Sequence, residues 1–219
     1  MSRARRERLK QCRLYLVCDD RPDEFLRTVL RGGVEIVQLR MKQAPDDRIV
    51  DAARRFARVC AEHGALLILN DRPDLVETAG ADGVHVGQDD VPVAEARRAV
   101  GPDRIVGLST HTPEQVIAAH DFDLDYIGVG PVHETPTKPG RPAVGVKLVE
   151  YAARHARVPF FAIGGITPGN VDAVREAGAT RVAVVRALTE ADDPEQTAEA
   201  LRAAVADADA REEARVGST

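Results

Sequence analysis

Short runs of apolar residues alternate along this chain with longer stretches in which apolar residues recur every three or four positions. The runs are LYLVC from Leu14, VEIVQLR from Val34, ALLIL from Ala65, GVHV from Gly83, RIVGLS from Arg104, LDYIGVG from Leu124, VPFFAIGG from Val158 and RVAVV from Arg181. Most are nearly continuous in Val, Ile and Leu, the composition of parallel strands covered on both faces. The intervening stretches read as amphipathic helices. Residues 45–62, for example, set Ile49, Ala52, Ala53, Phe56 and Cys60 on one stripe, with Arg and Asp opposite. Pro45, Pro92, Pro113 and Pro168 stand at or near helix starts, where a missing N–H costs nothing. Gly64, Gly80 and Gly178 stand just past helix ends, where a left-handed residue closes the helix.

Eight β-then-α units with short connectors close naturally into a parallel (β/α)8 TIM barrel, a single α/β domain. The alternative, an open doubly wound sheet, usually carries a glycine-rich loop after its first strand, and Cys18-Asp19-Asp20-Arg21-Pro22 is not one. The pattern assigns 13–206 to the barrel as catalytic domain, 1–12 to a basic, solvated leader, and 207–219 to a flexible tail beyond a fraying helix.

Composition narrows the partners. A net charge of −5 argues against a nucleic-acid or anionic-membrane surface, so anion chemistry must rest on local Arg, Lys and backbone N–H groups. Aromatic residues are only 4% of the chain and Trp is absent, so no stacking platform for bases is evident. Cys12, Cys18 and Cys60 form no C-x-x-C pair and lie in or beside apolar runs, as expected for reduced thiols in a cytoplasmic protein. No apolar run approaches the ~18 residues of a membrane span, and MSRARRERLK lacks the apolar segment of a signal peptide. Small-molecule substrates are expected, and a homo-oligomer is compatible with the sequence.

In a barrel of this kind the active site lies at the C-terminal ends of the strands. Gln38, Arg40 and Lys42 follow strand 2 at alternating positions, so an extended chain through them points all three one way. Two cations and an amide at a barrel mouth suit a multiply charged anion such as diphosphate. Asp71 and Asp90 end strands 3 and 4; each alone reads as a helix cap, but beside a cationic strand 2 the pair suits Mg²⁺. The loop GVGPVHETPTKPGRP after strand 6 carries Thr135, Thr137 and Lys138, either a phosphate-closing lid or a plain long loop. Gly164-Gly165 precedes Thr167-Pro168 at a helix start, a setting that favours phosphate. His85 in strand 4 reads either as a ligand or base or, the favoured reading, as a hydrogen-bonded core histidine. No Ser-His-Asp or Cys-His arrangement is evident, so covalent catalysis has no support.

Taken in order, QLRMK from Gln38, LNDR from Leu69, DGVHVGQDD from Asp82, GLSTH from Gly107, GVGPVHETPTK from Gly128 and AIGGI from Ala162 resemble the thiamine-phosphate synthase family, from about Leu14 to Leu188. The resemblance implies a Mg²⁺-dependent transferase joining a hydroxymethylpyrimidine diphosphate to a thiazole phosphate. It implies Gln38, Arg40, Lys42, Asn70, Ser109 and Lys138 at the pyrimidine diphosphate, with Arg40, Lys42, Ser109 and Lys138 as the catalytic candidates. It implies Asp71 and Asp90 as metal ligands, and Thr135, Thr137, Gly165, Val185 and Arg186 at the thiazole phosphate. Arg186 departs from the family, which commonly has Ser there; its side chain either meets the phosphate or pairs with Glu190 at i+4. A related thiazole tautomerase differs at strand 6, where its catalytic His directly follows the glycine. Here Pro131 follows Gly130, and His133 comes later. A non-catalytic phosphate-sensing barrel is a third reading.

Overall fold

The computed structural model describes residues 2–135 and 143–216, with side chains for 4–135 and 143–206. Eight strands run in chain order around a closed barrel, every neighbouring pair parallel: β1 Leu14–Cys18, β2 Ile36–Leu39, β3 Leu66–Asn70, β4 Gly83–Val86, β5 Ile105–Thr110, β6 Tyr126–Val129, β7 Phe160–Ile163 and β8 Val182–Val184. β8 returns to β1 with Leu14 opposite Val182 and Leu16 opposite Val184. The helices are α1 Ser2–Gln11, α2 Asp23–Arg31, α3 Asp46–Glu62, α4 Val76–Ala79, α5 Val93–Val100, α6 Pro113–Ala118, α7 Gly145–His155, α8 Val171–Glu176, α9 Arg186–Thr189 and α10 Pro194–Val216. Each apolar run in the sequence holds one strand. Gly64, Gly80 and Gly178 do take left-handed conformations after α3, α4 and α8.

Strand residues alternate between two cores, which is why the runs are apolar throughout. One parity, including Leu14, Leu16, Val37, Leu67, Val84 and Val106, packs outward against the helices with Phe56, Val59 and Leu26. The other parity fills the barrel with Tyr15, Val17, Ile36, Leu66, Ile68, Ile105, Tyr126, Phe161 and Ala183. Interior side chains at the upper ends of the strands turn polar: Gln38 on β2, Asn70 on β3, His85 on β4 and Ser109 on β5.

The leader differs from its solvated reading. It forms α1, and Leu9, only 1% exposed, joins Cys12 and the interior residues to close the barrel floor. Carboxylates at the strand starts hold it there. Asp82 accepts the Leu67 N–H at 3.0 Å and pairs with Arg5 at 2.7 Å. Asp125 accepts the Val106 N–H at 2.8 Å and pairs with Arg6 at 2.5 Å. The arginines that look like a disordered basic run are thus spaced to reach two acidic residues that already organise the sheet. At the other terminus α10 continues through Val216, past the barrel boundary placed at residue 206.

Candidate active site

At the C-terminal ends of the strands a cavity of about 800 Å³ opens over the barrel interior. It is lined by Gln38, Arg40, Lys42, Asn70, Asp71, Asp90, Ser109, Thr135, Gly165, Val185 and Arg186, every described residue that the sequence singles out. Thr137 and Lys138 lie outside the described residues. β2 ends at Leu39, so Arg40 and Lys42 leave the strand, yet both still face the cavity with Gln38.

Among the described residues the Arg40 guanidinium makes no hydrogen bond or ion pair, leaving its donors available to a ligand. Lys42 instead lies 3.1 Å from Asp71 Oδ2. Asp71 adopts a left-handed backbone, φ 62°, at the turn after β3. Such a conformation is uncommon for residues other than glycine, and strained backbone clusters at functional sites. Burial pushes the Asp71 carboxyl above its ordinary range, the neighbouring Asp90 carboxylate adds to the rise, and Lys42 opposes it. Asp90 Oδ2 accepts the Gly87 N–H at 2.8 Å, which fixes the β4 turn.

Neither Asp is a helix cap. The cap positions of the 3-10 turn Pro73–Leu75 and of α5, which follow them, are Arg72 and Pro92, with no side-chain cap hydrogen bond at either. Two adjacent carboxylates, one of them desolvated, form a site that a cation would stabilise. Among the described residues no group of three or more His, Cys, Asp or Glu is arranged to hold a metal. A pair fits Mg²⁺, which commonly takes one or two carboxylates and completes its shell with water and phosphate oxygens.

On the opposite rim, Gly164 (φ 109°) and Gly165 (φ 62°) make a turn that only glycine adopts readily. A Cβ on Gly164 would lie 2.5 Å from Pro131 Cα, and one on Gly165 would lie 2.7 Å from His133 Cβ. The two loops are also joined by hydrogen bonds: Val132 N–H donates to Ile163 O at 2.9 Å and His133 N–H to Gly164 O at 3.0 Å. The root of the strand 6 loop is therefore built onto the Gly-Gly turn. Beside it, Arg186 Nε donates to Glu190 Oε2 at 2.8 Å, and both residues are exposed at the cavity rim.

A cationic and acidic cluster on one side thus faces a glycine turn and a helix start on the other. The profile of the family described as thiamine monophosphate synthase matches residues 14–188.

The chain belongs to the thiamine monophosphate synthase family.

It is 50% identical over 208 residues to the thiamine-phosphate synthase of Acidothermus cellulolyticus, covering 90% of this chain and 97% of that one. It is 47% identical over 199 residues to the thiamine-phosphate synthase of Parasynechococcus marenigrum, covering 90% of this chain. The match spans only 57% of the length of that relative. The thiamine phosphate pyrophosphorylase structure from Pyrococcus furiosus superposes with a TM-score of 0.83 at 29% identity, covering 93% of this chain and 98% of that one. A 3-hexulose-6-phosphate synthase, at 21% identity and a TM-score of 0.63, shares the fold.

This thiamine monophosphate synthase family member also carries site features that sequence reading misses. Tyr15, Tyr126 and Phe161 form the cavity floor in mutual edge-to-face contact. The two tyrosine hydroxyls join Gln38, His85 and Ser109 in one hydrogen-bonded chain. Gln38 Nε2 donates to Tyr15 at 2.6 Å, the Tyr15 and Tyr126 hydroxyls are 2.9 Å apart, and His85 lies 3.0 Å from Tyr126 and 2.9 Å from Ser109. In the sequence the tyrosines look like apolar strand residues. The signal is their parity, since both fall on the inward-facing positions that also hold Gln38, His85 and Ser109.

Proposed function

We propose that the chain joins 4-amino-2-methyl-5-(diphosphooxymethyl)pyrimidine to thiazole phosphate, giving thiamine phosphate and diphosphate, and that it needs Mg²⁺. The observation that carries this reading is the grouping of Arg40, Lys42, Asp71 and Asp90 at one rim of a cavity whose other rim is the Gly164-Gly165 turn. Membership of the family supports the same reaction. In the proposed step the bond from the pyrimidine methylene to the diphosphate oxygen breaks and its electron pair leaves with the diphosphate. The ring amino group stabilises the cation left on the methylene carbon, and the thiazole nitrogen lone pair then forms the new C–N bond.

Such a substitution needs charge neutralised on the leaving group and the two rings held in line, and little proton transfer. Arg40 can bind diphosphate through a guanidinium fork, with Lys42 and Lys138 adding point charges. Gln38, Asn70 and Ser109 orient the pyrimidine end. Asp71 and Asp90 would hold Mg²⁺, which when bound supplies positive charge against the diphosphate oxygens. Thr135, Thr137, Gly165 and the Val185-Arg186 segment receive the thiazole phosphate. Residues 13–206 constitute the catalytic domain in this reading. A cytoplasmic location is supported by three buried, free cysteines. Among the described residues no helix is long and apolar enough to cross a membrane.

Turnover tests the proposal. The purified chain with both substrates and Mg²⁺ should form thiamine phosphate, detected by oxidation to fluorescent thiochrome phosphate. No product at any Mg²⁺ concentration would remove the reading.

A further inference from the structure

The polar chain across the cavity floor has a direction. An amide nitrogen can only donate, so the Gln38 Nε2 contact makes Tyr15 the acceptor. The Tyr15 proton must then go to Tyr126. If Tyr126 donated instead, Tyr15 would accept twice and its own proton would have no partner at a site 2% exposed, a costly outcome for a buried donor. With its oxygen occupied, Tyr126 donates onward to His85 Nδ1. An accepting Nδ1 leaves the ring proton on Nε2, which donates to Ser109 Oγ. The Ser109 proton remains over, and the Gln38 amide oxygen has no partner among the described residues.

The geometry points to a one-way hydrogen-bond relay, Gln38 to Tyr15 to Tyr126 to His85 to Ser109, that presents an acceptor at Gln38 and a hydroxyl donor at Ser109 to the cavity. Tyr15, Tyr126 and His85 act as positioning residues through these two ends. Their effect on turnover rests on the reading above, in which Gln38 and Ser109 meet the pyrimidine diphosphate. The relay is built in rather than incidental. Gly107 makes room for it, since a Cβ there would lie 2.1 Å from Tyr126 Cζ. Phe161 holds both tyrosine rings edge-on, with centroids 5.3 and 5.6 Å away. Burial raises both phenols above their ordinary range, so no phenolate interrupts the chain at neutral pH. Cooperative polarisation along a chain of this length strengthens each link.

The direct test is nitrogen-15 NMR of histidine-labelled protein without substrate, with the His85 signals assigned by their loss in His85→Gln. The relay requires a neutral ring with the proton on Nε2 and the lone pair on Nδ1. A proton on Nδ1, or an imidazolium at neutral pH, would overturn it. Tyr126→Phe keeps the ring and removes the central link. His85 should then populate both tautomers, and an unchanged single tautomer would show that Tyr126 does not set it. In the same variant kcat/KM for the pyrimidine diphosphate should fall about tenfold while KM for thiazole phosphate stays constant. Equal losses for both substrates would contradict a positioning role. Because the NMR measurement needs no turnover, it stands whether or not the proposed reaction is right.

Discussion

Lys42 Nζ stands 3.1 Å from Asp71 Oδ2, so a lysine from the β2 turn balances a carboxylate that burial and Asp90 both push toward protonation. In the proposed reaction Asp71 and Asp90 would hold Mg²⁺, whose charge would balance the two carboxylates and leave Lys42 to the diphosphate. Asp71→Ala or Asp90→Ala should lower turnover by about two orders of magnitude or more, the scale of losing an electrostatic stabiliser of the transition state. The fold should persist, because both residues sit at the cavity rim. Turnover across a Mg²⁺ titration, with circular dichroism as the folding control, checks this. Near-normal rates for both variants at limiting Mg²⁺ would contradict the assignment.

Arg186 and Glu190 pair at 2.8 Å on an exposed rim, where such a pair contributes only about 0.3–0.5 kcal/mol. We propose that the pair opens toward thiazole phosphate. Arg186→Ala should then raise KM for that substrate about tenfold, equivalent to ~1.4 kcal/mol, and leave the pyrimidine diphosphate constant unchanged. Glu190→Gln should lower it, because a competing carboxylate is removed. Unchanged constants in both variants would leave only the Val185-Arg186 backbone in the site.

The barrel is legible in the sequence because the strands are buried on both faces and the longer helices between them, α2, α3, α5 and α7, are amphipathic. The periods of Val34, Ala65 or Val158 and their neighbours carry that information without help from distant residues. The candidate site is legible where chemistry interrupts an apolar run, as at Gln38, Arg40, Asp71 and Ser109. Other parts are hidden. The role of α1 depends on Asp82 and Asp125, about 80 and 120 positions away from Arg5 and Arg6, so its local sequence reads as a solvated basic run. Tyr15 and Tyr126 are hidden because a tyrosine inside an apolar strand looks the same whether its hydroxyl faces a core or a cavity. Asp71 and Asp90 each resemble caps until the three-dimensional cap positions are known.

The floor-closing role of α1 can be tested by stability. Leu9→Ala removes a side chain that is 1% exposed and should destabilise the protein by about 2–5 kcal/mol. Urea unfolding measures it. A change within about 0.5 kcal/mol, the range of an ordinary surface substitution, would return residues 1–12 to a solvated leader.

Burial pushes the Cys12 and Cys60 thiols up to about 12 and raises Cys18 as well. All three should resist iodoacetamide at pH 8 in the folded protein and react once it is unfolded, as mass spectrometry would read. A thiol raised in the folded state favours folding most fully while it is protonated in both states. Its contribution should be constant below about pH 8.5, the ordinary thiol value, and decline as pH climbs from there toward 12. Rapid alkylation of the native chain at pH 8 would contradict the burial that drives the shift.

The central claim is that this site breaks the diphosphate from one substrate and joins the remainder to the other. Phosphorus-31 NMR follows both halves in one tube. With pyrimidine diphosphate, thiazole phosphate and Mg²⁺ present, free diphosphate and thiamine phosphate should appear in equal amounts, and chelating the metal should stop both. An intact diphosphate ester, or diphosphate released without thiamine phosphate, would contradict the account.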